Sequence, residues 1–509
     1  MRKIALIGVL LSAPHAVAAQ NGVTNAVSSI TAEDFIRRVG VIAHDSMRGR
    51  DTPSAGLSMT AQYIADEFRR MGLSPGAPNG SFIQEYPLIR ERVDIVASSV
   101  AIEGGGTLRF GQDVSLLSGG GGPPDRRGVS GPTVVVTGRP GNPRAVADLD
   151  VAGAVVLIVS SASNRWSRRD LFPLLRRGPA AVITVHDGSD AEWRSVVDGM
   201  NRVSLRTGWR ERSSSPPSLA VRAQAIERVL TAQGFDLSSA LRRNSRRLSS
   251  RRLSDLTFTI KVEYETVEAT TAPNVVAVLE GSDPMLRDEY IVFSGHMDHV
   301  GVGNPDPATG DSIYNGADDD ASGTIAVVEA AEAFATLHPR PRRSLMFVLV
   351  SGEEKGLWGS EYFAEHSPVP IDQIVANLNS DMVGRNWKDT IAAIGKEHSD
   401  LGETLNRVNE RHPELGMTAI DDIWPGQRFY FRSDHYNFAR KGVPILFFFN
   451  GTHDDYHRPS DEVEKIDGEK AARIVKLLFY LGLDIANADE RPRWYPESYR
   501  QIVTGNESR

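Results

Sequence analysis

The sequence predicts an α/β fold: a mixed, largely parallel central sheet between helices, with a second, β-rich domain inserted into it. Three observations carry this. MFVLV (346–350) and ILFFF (445–449) are near-continuous apolar runs, as strands covered on both faces require. Such runs alternate with helical patterns at Ala321–Leu337 and Glu469–Asn487, the texture of a layered α/β protein. Between them and the N-terminal region lie TVVVTG, AVVLIVSS and AAVITVHD, short strand-like runs separated by turns that suggest a small domain of their own.

Taken in order, the first 20 residues, MRKIALIGVLLSAPHAVAAQ, place Arg2 and Lys3 before an apolar run and end in small residues. The run is far shorter than the ~20 residues of a membrane span, so residues 1–19 are expected to be a signal peptide. The mature chain is then expected to be exported, to the periplasm or the medium, with no membrane span. Residues 25–115 are expected to form the N-terminal part of a catalytic domain. They hold two amphipathic helix patterns, the first capped by Thr31 with Asp34 three positions on, the second stopping at Gly72. EGGGT and SGGGGPPD, around 104–124, mark a boundary, and residues 120–260 are expected to be the insert. The insert has a helical pattern near Arg168–Arg177. Its end carries Arg242, Arg243, Arg246, Arg247, Arg251 and Arg252, expected to be a solvated helix face. Residues 265–488 complete the catalytic domain, and 489–509 form a C-terminal tail.

Composition narrows the chemistry. The 509 residues include no cysteine, which excludes disulfides, thiolate nucleophiles, Cys-ligated zinc and iron–sulfur clusters, so any metal must be held by His, Asp or Glu. Lys and Arg number 57 against 65 Asp and Glu, net −8, which offers no broad basic field and argues against nucleic acid as a partner.

Residues of that metal-binding type follow the predicted strands. His296 and Asp298 follow EYIVFSG; Asp318, Asp319 and Asp320 open a helix in NGADDDASG; Glu353 and Glu354 follow MFVLVSG; Asp381 follows NLNS; Tyr456 and His457 come after ILFFFN. Hard N and O ligands suit Zn, Mn or Co, and carboxylates offset the charge of two divalent ions. A water shared between such ions becomes acidic enough to act as a nucleophile at neutral pH.

The spaced set SGHMDH, NGADDDASG, SGEEKGLWGS, NSDMVG and YHRPSD resembles the co-catalytic di-zinc aminopeptidases of metallopeptidase family 28, in particular exported bacterial members with an inserted protease-associated domain. The resemblance implies a zinc-aminopeptidase/phosphorylase-like fold and two Zn2+ ions, with Mn2+ or Co2+ as alternatives. It assigns His296 and Asp381 to one metal, Glu354 and His457 to the other, and Asp319 to both. Glu353 is then the general base, taking a proton from the metal-bridging water. Asp298, two residues past His296, faces the same way on a strand and accepts the imidazole N–H. Tyr456 is a donor to the developing oxyanion. His299, His435 and His453 fall outside the five ligand positions and are expected in supporting or surface roles. Ser433-Asp434-His435 is not a serine triad, because three consecutive residues cannot converge as one.

The activity implied is removal of N-terminal residues from peptides with a free N-terminus; the oligomeric state is left open. A carboxypeptidase or dipeptidase on the same site would need Arg to grip a terminal carboxylate, for which Arg428 and Arg432 are available. A non-catalytic receptor-like protein on this fold would be expected to have lost ligands or the base, and all are present.

Overall fold

A computed structural model describes residues 13–120, 128–139, 143–146, 148–161, 165–212, 215–243, 245 and 247–506. Most of the predicted signal peptide (1–12), Arg246 and the last three residues lie outside the described residues. The described chain divides into two units, one within Met1–Tyr86 and Thr271–Arg509, the other within Pro87–Thr270. No described helix is long and apolar enough to cross a membrane.

The first unit is built on the predicted mixed sheet. Four parallel strands lie side by side in the order Ser344–Val350, Tyr290–His296, Ile374–Ser380 and Ile445–Phe449. Antiparallel neighbours flank them: Val275–Leu279 on one side and Thr390–Ile394 on the other. Strand alternation explains the continuous apolar runs. Leu345, Phe347 and Leu349 enter one core with helices Gly323–Thr336 and Gly468–Asn487, while Met346, Val348 and Val350 enter a second core on the opposite face. Phe448 likewise joins the first core and Phe447 and Phe449 the second.

Helices Ala32–Ile42 and Ala55–Arg70 cover the first core. Thr31 caps the first as predicted, its hydroxyl accepting from the Asp34 amide at 3.1 Å. Buried Arg38 ties these helices to Gly323–Thr336 through Glu67, Glu329 and Glu332.

The second unit has an eight-stranded sheet with four parallel strands at its centre, Gly128–Thr137, Val155–Val159, Ala181–His186 and Ser218–Arg222. Strands Ser99–Ile102, Gly106–Leu108 and Val114–Ser118 belong to this sheet as well. The chain therefore passes into the second unit at Pro87, not near residue 120. The passage lies within the extended strands Ile83–Val93 and Tyr264–Leu279, where composition does not change, whereas EGGGT spans the turn between Ser99–Ile102 and Gly106–Leu108, and most of SGGGGPPD lies outside the described residues. The Arg-rich run is not one helix face either: Arg242 ends helix Leu237–Arg242, and Arg251 and Arg252 lie on strand Ser249–Lys261.

Candidate metal centre

Register brings the candidate residues to one edge of the first unit's sheet. His296 pairs with Val350, Ser294 with Asn379, and Ser380 with Phe448, so the four parallel strands end together. The loop after each strand then delivers its side chains to one place, as at the carboxyl edges of open α/β sheets. Gly323 lets the next helix start against that edge, since a Cβ there would lie 2.3 Å from both the Ser380 carbonyl and Asp320 Oδ1.

Two clusters form. In the first, His296 Nε2 lies 3.4 Å from Asp319 Oδ1 and 3.7 Å from Asp381 Oδ2. In the second, His457 Nε2 lies 3.1 Å from both Asp319 Oδ2 and Glu354 Oε1. Asp319 thus turns one carboxylate oxygen to each cluster. His299 joins the second cluster, its Nδ1 2.9 Å from Glu354 Oε1 and 3.7 Å from Asp319 Oδ2.

The three consecutive aspartates divide their work. Asp320 is held by main-chain amides, those of His296, Gly323 and Met382. Asp318 accepts from the Gly384 amide and the Ser322 hydroxyl and faces His453 at 3.2 Å. Only Asp319 faces both clusters, and its own amide and that of Asp318 are fixed by the Asp461 carboxylate. Asp381 is steadied by the Ser433 hydroxyl at 2.9 Å.

Electrostatics fit a cation. Burial opposes charge on Asp319, yet His299, His296 and His457 hold its carboxyl well below the usual range. Burial and Asp319 work against Glu354, but His299 and His457 bring it down to about 2. Conversely, burial lowers His457 while Asp319 and Glu354 lift it to about 10. Asp319 Oδ2 and Glu354 Oε1 are buried and make no hydrogen bond. Buried carboxylate oxygens without donors, facing imidazole nitrogens, are what a divalent ion satisfies.

Glu353 belongs to neither cluster. It lines a pocket with His296, Asp319, Asp381 and Tyr456, walled by Met382, Phe429, Phe447 and Phe449, with Arg432 at its side. Burial raises its carboxyl well above the usual range; His296 opposes this, and Asp434, Glu354 and Asp381 add to it. Tyr456 stacks on His457 with ring centroids 3.9 Å apart, and burial with the surrounding carboxylates keeps its phenol protonated.

One predicted contact differs. The strand ends at His296, so Asp298 sits in the following loop, and the imidazole Nδ1 meets the Asp298 carbonyl at 3.2 Å; the carboxylate stands at 3.7 Å. That carboxylate is turned instead to the Thr52 hydroxyl (2.8 Å) and the Glu353 amide (3.3 Å). Asp298 therefore positions Glu353 as well as His296.

Residues 274–482 match the model of peptidase family M28. This segment belongs to that family. A probable zinc metalloprotease of Pyricularia oryzae is 29% identical over 263 residues, 43% of this chain and 51% of the relative. A probable leucine aminopeptidase of Arthroderma benhamiae is 25% identical over 233 residues, 42% of this chain and 58% of the relative. The matched region thus spans about half the length of these curated relatives. The aminopeptidase of Aneurinibacillus sp. strain AM-1 has the same fold, with a TM-score of 0.51 at 19% identity over 92% of this chain and 97% of that one.

Three residues in and beside the clusters do more than the sequence indicates. His299 falls outside the ligand set that the resemblance assigns, yet it is buried against Glu354. Asp461 lies within YHRPSD, but nothing in the spacing marks it as the acceptor of two consecutive amides. Arg50, in RGRDTP, has no role in the sequence analysis. It is wholly buried, donating from Nε to the Met297 carbonyl and from its terminal nitrogens to the carbonyls of Ile42, Asn315 and Gly316.

Proposed function

We propose that this chain is an exported zinc aminopeptidase that removes apolar N-terminal residues from peptides, and that residues 87–270 are its protease-associated insert. The observation that carries the catalytic part is the division of Asp319, with Oδ1 toward His296 and Oδ2 toward His457. His296, Asp319 and Asp381 would hold one zinc ion, and Asp319, Glu354 and His457 the other. When bound, the pair lowers the pKa of the attacking water and polarises the scissile carbonyl.

The chain's own groups do the rest. The Nδ1–H of His296 donates to the Asp298 carbonyl, which leaves Nε2 as the free lone pair toward Asp319 and Asp381. Glu353, held above the usual carboxyl range, takes the proton of the attacking water and gives it to the departing amine nitrogen. The Tyr456 hydroxyl stays protonated and donates to the carbonyl oxygen as it becomes negative. Met382, Phe429, Phe447 and Phe449 provide an apolar wall for the N-terminal side chain.

Arg432 on the same pocket supports a second reading, a carboxypeptidase or dipeptidase in which this guanidinium grips a terminal carboxylate. Aminoacyl p-nitroanilides and N-blocked peptides separate the two, assayed with and without a chelator. Chelator-sensitive release from free N-termini alone is the expected result. Cleavage confined to N-blocked peptides would overturn the aminopeptidase reading.

A further inference from the structure

The second cluster contains one potential ligand more than the resemblance assigns. His299 follows the strand end by three residues and is fully buried. Its Nδ1 is 2.9 Å from Glu354 Oε1, a separation suited to a hydrogen bond, yet neither atom makes one. Asp319 Oδ2, 3.7 Å from the same nitrogen, is also without a donor. His457 Nε2 reaches both oxygens at 3.1 Å, and its ring meets that of His299 edge-on with centroids 5.5 Å apart. One ligand atom each from His299, Asp319, Glu354 and His457 thus lies within 4.8 Å of the others.

The ring's seat is built into the fold. His299 donates its main-chain N–H to the Arg50 carbonyl at 3.3 Å. Its ring lies on Gly316, where φ is +55° and a Cβ would come within 2.5 Å of the imidazole carbons. A side chain at position 316 would clash with the ring, so the glycine preserves the convergence of the four side chains as well as a backbone conformation that favours glycine.

We propose that His299 Nδ1 is a fourth protein ligand of the second metal ion, which makes the two sites unequal. The second site then has four protein ligands, two nitrogens and two oxygens. The first has His296, Asp319 and Asp381, and keeps a coordination position free of protein. The second site is expected to fill first and to release its ion last.

The inference rests on the two-metal reading above, and metal binding separates the two without an activity assay. Full-length protein stripped by chelator is titrated with Co2+, following the visible absorption and the exchangeable, hyperfine-shifted imidazole N–H resonances. An imidazole bound through one nitrogen retains one such N–H, so three are expected in the wild type loaded with two ions, from His296, His299 and His457. Two such signals would overturn the proposal without reference to any variant.

His299→Asn supplies a second measurement, since its amide preserves a donor near the Nδ1 position. It is expected to show two signals and to bind the first-filling ion on the order of 100-fold more weakly, at or beyond the 10- to 100-fold typical of losing a supporting contact. Wild-type affinity in a folded His299→Asn protein would mean that His299 merely donates to Glu354, and would overturn the ligand assignment. Uptake of one ion or none by the wild type would overturn the two-metal reading itself, and the proposal with it.

Discussion

The two units contain the same device, four adjacent parallel strands, and use the ends of those strands differently. In the first unit these ends lead into His296, Glu353 and Glu354, Asp381, and the loop bearing His457, and the side chains converge on Asp319. In the second unit they lead to Gly138, Ser160, Asp187 and Ala223. Asp190, near the third of these ends, holds Arg222 in an exposed pair. Among the described residues, the clusters of potential metal ligands occur only in the first unit. A parallel sheet therefore supplies an edge but no chemistry; the chemistry depends on what the loops bury there.

The largest effect that would test this contrast is catalytic. Glu353→Gln is expected to lower kcat on an aminoacyl p-nitroanilide by ~10²–10⁴-fold while metal content is unchanged, because the base is lost and the ligands remain. Asp319→Ala should lose metal and activity together. Asp187→Asn, at a strand end of the second unit, should change neither. Steady-state kinetics with elemental analysis decides all three, and near-wild-type turnover in Glu353→Gln would remove this residue from the mechanism.

Stability should divide in the same way. Burial lowers Arg50 to about 10, with Asp298, Asp320, Asp319 and Asp461 acting to raise it, so it is a cation at neutral pH. Replacing it with Met leaves four carbonyls without their donor. The expected loss is ~3–5 kcal/mol in denaturant unfolding of the metal-free protein. Arg252→Met, which breaks an exposed pair with Asp150, should cost no more than ~1 kcal/mol. Equal losses would show that burial is not what distinguishes the two arginines.

The fold class was legible because both faces of the central strands are buried, which leaves apolar runs that no half-exposed strand would have. The candidate ligands were legible for a related reason: a His or acid directly after such a run lies at the sheet edge before any tertiary detail is known. Other features had no local signature. Arg50 is buried by carbonyls of distant segments, and RGR reads the same on a surface. The crossing at Pro87 lies within a continuous strand, while the Gly-rich composition further along offered a more visible boundary than the one at Pro87. His299 stands in SGHMDH beside a ligand, and spacing alone could not decide which way its ring turns. Asp298 has the neighbour that alternation predicts but meets it through a different atom, because the strand ends two residues earlier than alternation assumes.

The smallest effect concerns pH. His435 is fully buried, stacked on Phe447, with Nε2–H donating to the Tyr430 carbonyl at 2.8 Å. Burial lowers its pKa from 6.5 to about 3, opposed only by that carbonyl. The unfolded chain therefore binds a proton below pH 6.5 that the folded protein refuses until about pH 3, and stability falls as pH drops through this window. Asp434 and Asp461, raised by burial to about 7 and about 6, take up protons in the folded state and work in the opposite direction. The difference between wild type and His435→Gln isolates the histidine, because the amide keeps a donor but cannot charge. In metal-free protein the variant should gain on the wild type by about 1.4 kcal/mol per pH unit below 6.5, about 3 kcal/mol at pH 4.5. A pH-independent difference would show that the ring is reached by water. In the second unit, His186 is also lowered, by burial first and then by Arg165, but its position is only partly buried, so His186→Gln should give a much shallower slope.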